Sequence, residues 1–195
     1  MQTIQYTDKI LPSNSECAFN IRNREQCIAR RLEKLNLHRI RVNRDGNCFF
    51  NAVVQAMQDT NLVGKELNPE DLRQMCAYEW EKYSFMYKSF VPKLKDTSEE
   101  LDNFRSDYCF DADLGDVLPI TIANLFKLKL VIITSIPNIP NDIEVIPMNF
   151  NAKEAKQLPK IYLVYDHGKP EHYDYAREFG IGPTRLTLSA INRSA

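Results

Sequence analysis

Apolar positions along the chain fall into two periods. Between about Asn23 and Leu37, Ile28, Leu32 and Leu35 recur at helical spacing among Arg and Glu, which predicts an amphipathic helix. Ile40 and Val42 then alternate with Arg39, Arg41 and Asn43, as in a short strand or extended segment. Arg44-Asp45-Gly46-Asn47 reads as a turn. The apolar run Cys48 to Met57 behind it has the length of a buried helix, with Asn47 as its N-cap. Asn68-Pro69-Glu70-Asp71 joins a cap, a proline at the first helical position and two acids, and predicts a helix running to about Lys88. Thr97-Ser98-Glu99-Glu100 has the form of a capping box ahead of Leu101 and Phe104, and another helix is expected from about Val117 to Phe126. The period then changes. Leu128 to Thr134 reads as a buried strand, Ile143 to Ile146 as an edge strand ended by Pro147, and Asn138 to Asn141 between them as a loop. Ile161 to Tyr165 and His172 to Tyr175 are two more strands, joined by the turn Asp166-His167-Gly168-Lys169-Pro170. Early helices and later strands imply a mixed β-sheet flanked by helices, in the α+β or α/β class.

Composition narrows this picture. The chain has 195 residues, the size of one domain. That is enough to bury about two-thirds of the unfolded surface without disulfides or metal. Lys and Arg number 25 against 26 Asp and Glu, for a net charge of −1. This balance excludes a strongly basic nucleic-acid binder and argues against a polybasic membrane anchor. No apolar run approaches the roughly 18 residues of a membrane span. Met1-Gln2-Thr3-Ile4-Gln5-Tyr6 has neither the basic nor the apolar region of a signal peptide. The five cysteines, Cys17, Cys27, Cys48, Cys76 and Cys109, are odd in number and share no CxxC spacing. Neither a disulfide framework nor a zinc site is expected from them, and no cofactor or metal. The expectation is a monomer without nucleic-acid or membrane partners. It would work in an intracellular, cytoplasmic compartment, of the cell that makes it or of one that receives it.

Cys48 stands apart from the other four. It follows a Gly-containing turn and opens an apolar helix, where the helix dipole favours a thiolate. Gly46 permits close approach of a substrate, and the amides around Gly46, Asn47 and Cys48 could face a developing oxyanion. Read alone, Cys48 is equally a buried thiol on a helix that merely starts there. A carboxylate beside the sulfur would oppose its ionisation, so Asp45 reads as a residue that bonds backbone amides and holds the loop. Three histidines are available as a base: His38, His167 and His172. His38 sits at a helix–strand junction, and His167 lies within a turn. His172 and Asp174 are two apart on one strand, so their side chains share a face, with Cα atoms about 6–7 Å apart. Such a carboxylate would bond Nδ1 and leave Nε2 for a thiol. Alone, the pair also reads as an exposed polar hairpin face. Together, the turn cysteine and the strand His-x-Asp form the set that a papain-type thiol hydrolase requires.

At these residues the sequence resembles the OTU (ovarian tumour) family of cysteine proteases. Asp45-Gly46-Asn47-Cys48-Phe49-Phe50 is similar to that family's Asp-Gly-x-Cys-aromatic-aromatic motif. The run Asp113 to Ile133, with Gly115, Ile120, Ala123 and Val131, resembles its Trp-Gly helix–strand block. His172-Tyr173-Asp174 resembles its His-Tyr-Asn/Asp motif. Leu114 stands where the family often has Trp, in a loop that borders the substrate groove. The resemblance spans about Arg39 to Ala176. It implies a papain-like α+β fold and a catalytic domain over 39–178. Residues 1–38 would be an extension with a helix that contacts ubiquitin or simply packs, and residues 179–195 a tail or linker. It implies a deubiquitinating isopeptidase that cleaves after the last glycine of ubiquitin, polyubiquitin or a ubiquitin-like modifier. Cys48 is carried over as nucleophile, His172 as base, Asp174 as its orienter, and Asp45 as part of the loop that shapes the oxyanion site. Asp111, Asp113, Leu114 and Gly115 are carried over as substrate-binding residues. The acids Asp107 and Asp116, with Glu99 and Glu100, could meet the arginines of a ubiquitin tail, and Tyr108 and Phe110 could wall the groove. The alternatives are a silent OTU-like module that binds ubiquitin as an adaptor, and another thiol acyl transferase.

Overall fold

The apolar run behind the Asp45-Gly46 turn becomes the centre of the molecule. In a computed structural model, which describes residues 21–87, 97–106, 115–136, 139, 142–168 and 170–179, that run is helix α2 (Cys48–Asp59). The elements before it are α1 (Ile21–Lys34) and β1 (Leu37–Ile40). Those after it are α3 (Pro69–Lys82), α4 (Ser84–Tyr87), α5 (Thr97–Arg105) and α6 (Leu118–Phe126). Then come β2 (Lys129–Thr134), β3 (Ile143–Val145), a 3-10 turn (Glu154–Gln157), β4 (Lys160–Asp166) and β5 (His172–Glu178). Among the described residues no helix is long and apolar enough to cross a membrane.

The five strands form one mixed sheet in the order β1-β5-β4-β2-β3. Only β2 and β4 run parallel; the β1–β5, β5–β4 and β2–β3 pairs are antiparallel. The period of two along β4 and β5 divides the sheet into two buried faces. Ile161, Leu163 and Tyr175 join α2, α3, α5 and α6 in the larger core, with Phe49, Phe50, Leu72, Trp80, Phe104 and Ile122. Val164 and Ala176, pointing the other way, meet Ile28 and Leu32 of α1 in a second cluster with Leu37 and Ile133. His172 and Asp174 have the parity of Ala176 and therefore lie on the α1 side. Burial on both faces makes β2 and the centre of β4 read as apolar runs.

The helices are joined through the larger core by buried polar groups. Trp80 Nε1 of α3 donates to Thr121 Oγ1 of α6 at 2.7 Å. Asn124 Nδ2 donates to the Tyr87 hydroxyl at 3.0 Å, while its Oδ1 accepts from the Met148 amide at 2.9 Å. These bonds satisfy the Trp80 and Asn124 side chains across two elements.

Several boundaries differ from the sequence reading. The first helix stops at Lys34, short of Leu37, because Asn36 takes the left-handed conformation (φ 55°). The helix after Asn68 ends at Lys82, and α4 follows as a separate turn; no glycine or proline marks that break. Its start is as expected: the Asn68 side chain accepts from the Asp71 amide at 2.8 Å. The 3-10 turn is an element beyond those expected, although Asn151 and Glu154 signal it: the Asn151 side chain accepts from the Lys153 and Glu154 amides, and the Glu154 carboxylate accepts from the Asn151 amide. The division at 38/39 falls inside β1, and residues 21–38 belong to the packed sheet assembly. Cys17, Cys109, the loop Pro12 to Ser15 and the tail from Gly180 lie outside the described residues.

Candidate active site

The turn before α2 is built by one glycine and one carboxylate. Gly46 has φ 76°, a conformation that a Cβ disfavours. Asp45 Oδ1 accepts from the Asn47 amide at 3.0 Å, and both its oxygens accept from Asn51 Nδ2, at 3.2 and 3.3 Å. Asp45 thus pins the turn to the first turn of α2, as a loop-holding residue. Two expectations are corrected by this geometry. The Asn47 amide, expected among those that face an oxyanion, donates to Asp45 instead. Nor does the Asn47 side chain cap α2. Its Oδ1 accepts from Arg73 Nη2 of α3, because that buried guanidinium needs an acceptor more than the helix end needs a cap.

Cys48, half-buried at the first position of α2, is near enough to the His172 ring to help raise its pKa. His172 is 3% exposed and Asp174 fully buried. Nε2–H of His172 donates to Asp174 Oδ1 at 2.9 Å, leaving Nδ1 as the nitrogen for the thiol. The sequence reading had these nitrogens reversed. Asp174 is drawn back toward β1 by the Val42 amide, which donates to Oδ1 at 2.8 Å, and by Arg39 Nε, which donates to Oδ2 at 2.5 Å. The distal ring nitrogen is the one that reaches a carboxylate so placed. Burial disfavours the charged ring, yet the Asp174 hydrogen bond and the adjoining Cys48 outweigh it, and the pKa of His172 is pushed up to about 9. Burial likewise works against the Asp174 carboxylate, but His172, the Val42 amide and Arg39 hold its pKa down at about 2.

Aromatic rings set α2 against β5. Tyr173 packs edge-on against Phe49, at 5.1 Å between centroids, and lies 4.7 Å from the ring of Tyr165. Burial, followed by the charges of Asp116, Cys48 and Glu171, raises its hydroxyl pKa. The other two histidines are placed elsewhere. His38 Nε2 accepts from Arg177 Nε at 2.9 Å, toward the far end of β5. His167 is exposed in the β4–β5 turn, 3.6 Å from Glu171. Gly115 is half-buried just ahead of α6. Asp107, Tyr108, Phe110, Asp111, Asp113 and Leu114 lie outside the described residues, as do the side chains of Glu99 and Glu100. Among the described residues no group of three or more His, Cys, Asp or Glu is placed to hold a metal ion.

Three charged residues at the site carry no motif. Arg39 and Glu25 stand behind Asp174, and Arg73 stands behind Asn47. Only Arg73 left a trace in the sequence, as a charge on the apolar stripe Leu72, Cys76, Ala77 and Trp80.

No protein-family model matches the chain, and no curated protein matches it in sequence. Solved structures do match its fold. The OTUD1 OTU domain aligns over 80% of this chain and 95% of its own, with a TM-score of 0.60 at 15% identity. An OTU deubiquitinase from Wolbachia pipientis wMel aligns over 76% and 93%, with a TM-score of 0.50 at 16% identity. The viral OTU domain protease from Qalyub virus aligns over 73% and 85%, with a TM-score of 0.52 at 18% identity. The chain therefore has the α+β fold of OTU domains.

Proposed function

We propose that this protein is a cysteine-type deubiquitinase that hydrolyses the bond after the C-terminal glycine of ubiquitin or a ubiquitin-like modifier. What supports the reading is the hydrogen bond between His172 and Asp174, with Cys48 near enough to raise the pKa of the ring, in a chain with the fold of OTU domains. One structural neighbour is described as a deubiquitinase and another as a protease. The thiol proton resides on His172 Nδ1, and the Cys48 sulfur attacks the glycine carbonyl carbon. The carbonyl oxygen becomes an oxyanion beside the Gly46 and first α2 amides. Its collapse expels the substrate lysine amine, which takes the proton from His172. Water, deprotonated by His172, then attacks the thioester and releases the glycine carboxylate and the Cys48 thiol. Asp174 holds the ring in place through both steps. Asp116 and Glu171 supply negative charge for a basic peptide tail. The substrate-binding roles of Asp111, Asp113, Leu114 and Gly115 remain part of this proposal.

A ubiquitin probe with an electrophile at its C-terminus tests it. Expected is covalent labelling of the intact chain that is lost in Cys48→Ala. Binding of ubiquitin without labelling would favour the adaptor instead, and neither binding nor labelling would reject both.

A further inference from the structure

We propose that Arg39 is a positioning residue for the His172–Asp174 pair, held in turn by Glu25, so that helix α1 is part of the catalytic apparatus. The inference deepens the function proposed above and rests on it. The chain of contacts is continuous. Arg39 stands opposite Ala176 in the β1–β5 register, so Asp174 is its diagonal neighbour on the same sheet face, within reach of a long side chain. Its Nε donates to Asp174 Oδ2 at 2.5 Å, and its Nη1 donates to Glu25 Oε2 at 3.0 Å. The Arg39 side chain is 8% exposed and that of Asp174 fully buried, so water screens this ion pair little.

Two features separate this arrangement from an ordinary structural ion pair. Asp174 Oδ1 already has two partners, the Val42 amide and His172. Arg39 takes the opposite oxygen and so fixes the rotation of the carboxylate about its Cβ–Cγ bond. That rotation decides whether Oδ1 faces the imidazole. Secondly, Arg39 Nη2 is buried with no hydrogen-bond partner among the described residues. An unsatisfied guanidinium nitrogen costs stability. An apolar residue would spare that cost, but would leave Asp174 free to turn.

The charged groups around His172 are Asp174 on its own strand and Cys48 at the start of α2. Across the register on β4 is Asp166, which is paired with Arg24 of α1 at 2.9 Å and lies 4.0 Å from Arg44. Apart from Asp174 those groups are unchanged by substitution of Arg39, and loss of the Arg39 cation by itself would raise the His172 pKa, so a fall in that pKa reports a carboxylate turned away from the ring.

The test uses Arg39→Met, Arg39→Lys and Glu25→Gln in the full chain. It measures turnover of a ubiquitin C-terminal amide across pH, and His172 ring titration by 15N NMR without substrate. For Arg39→Met, kcat is expected to fall about 10- to 100-fold, the scale of a small misplacement of a reacting group, with KM within about twofold. His172 should titrate about one pH unit lower as its oriented carboxylate is lost. Arg39→Lys should recover part of both effects, and Glu25→Gln, at a half-exposed position, should show a smaller loss in a folded protein. Arg41→Met, which removes only an exposed ion pair to the same Glu25, should change neither. An unchanged His172 titration and kcat in folded Arg39→Met and Glu25→Gln would overturn the proposal, even if thermal stability fell. If the wild-type chain turned over no substrate, the deubiquitinase reading would fail. The substrate-free titration would still decide whether Arg39 orients the pair.

Discussion

A buried imidazole next to a buried carboxylate ties both activity and stability to pH. The pKa of His172 is pushed up to about 9, so in the proposed reaction the imidazolium that would donate to the leaving amine is present below that pH and lost above it. The alkaline limb of kcat/KM is therefore expected near pH 9, measured with a ubiquitin C-terminal amide. In Cys48→Ala the ring loses one of the groups that raise its pKa, and His172 should titrate lower by NMR. The same shifts govern stability. Asp174 has a folded pKa of about 2, below the unfolded carboxylate value near 4. Its contribution is complete above about pH 4 and disappears as pH falls toward 2. His172 is raised, so its contribution is complete below about pH 6.5 and is lost as pH rises through 9. On account of this pair, the melting temperature should be highest between about pH 4 and 6.5. A Tm that kept rising from pH 7 to 9 would contradict this.

At the scale of elements, the turn before Cys48 is held from two sides. Asp45 and Asn51 tie it to α2, and Arg73 ties it to α3. Arg73 is fully buried, donates to the Phe104 carbonyl at 2.8 Å, and lies over the rings of Phe50 and Phe104 at 4.5 and 5.1 Å. It thereby joins α3, α5 and the turn. Arg73→Met keeps much of the volume but strands two buried acceptors, and should lower unfolding free energy by about 2 kcal/mol in urea titrations. Catalysis should fall with it, because the turn next to Cys48 loses its inner support. The start of α2 could be read from Gly46 and Asp45, since a left-handed turn and an acid that accepts local amides are local requirements. The partner of Asn47 could not, because it is set by where α3 crosses α2. The same holds for the His172 nitrogens. Residue spacing places the ring and carboxylate together, but β1 decides which nitrogen meets the carboxylate.

For the whole molecule, the two-faced sheet is the governing feature. One face packs on α2 and its neighbours, while the other packs on α1 and also carries His172 and Asp174. A helix that reads as an extension thus closes the second core and, through Glu25 and Arg39, reaches Asp174. Its anchor Ile28 is 1% exposed. Ile28→Ala should lower stability by about 3 kcal/mol, the usual scale for an emptied core position, as measured by chemical denaturation. Activity at temperatures well below the melt should persist, because Glu25 and Arg39 remain in place. A cost below about 0.5 kcal/mol would show that α1 is only loosely attached.

The amino-acid sequence by itself determined the local features of this protein. Strands β2 to β5, the glycine turn, the helix that opens on Cys48 and the placing of His172 and Asp174 on one strand face all follow from period and turn chemistry over a few residues. Only the tertiary structure decided which distant charges stand behind those groups. Arg39, Glu25 and Arg73 are ordinary polar residues until strand register and helix crossing bring them to the buried atoms they serve, and no local pattern encodes that meeting.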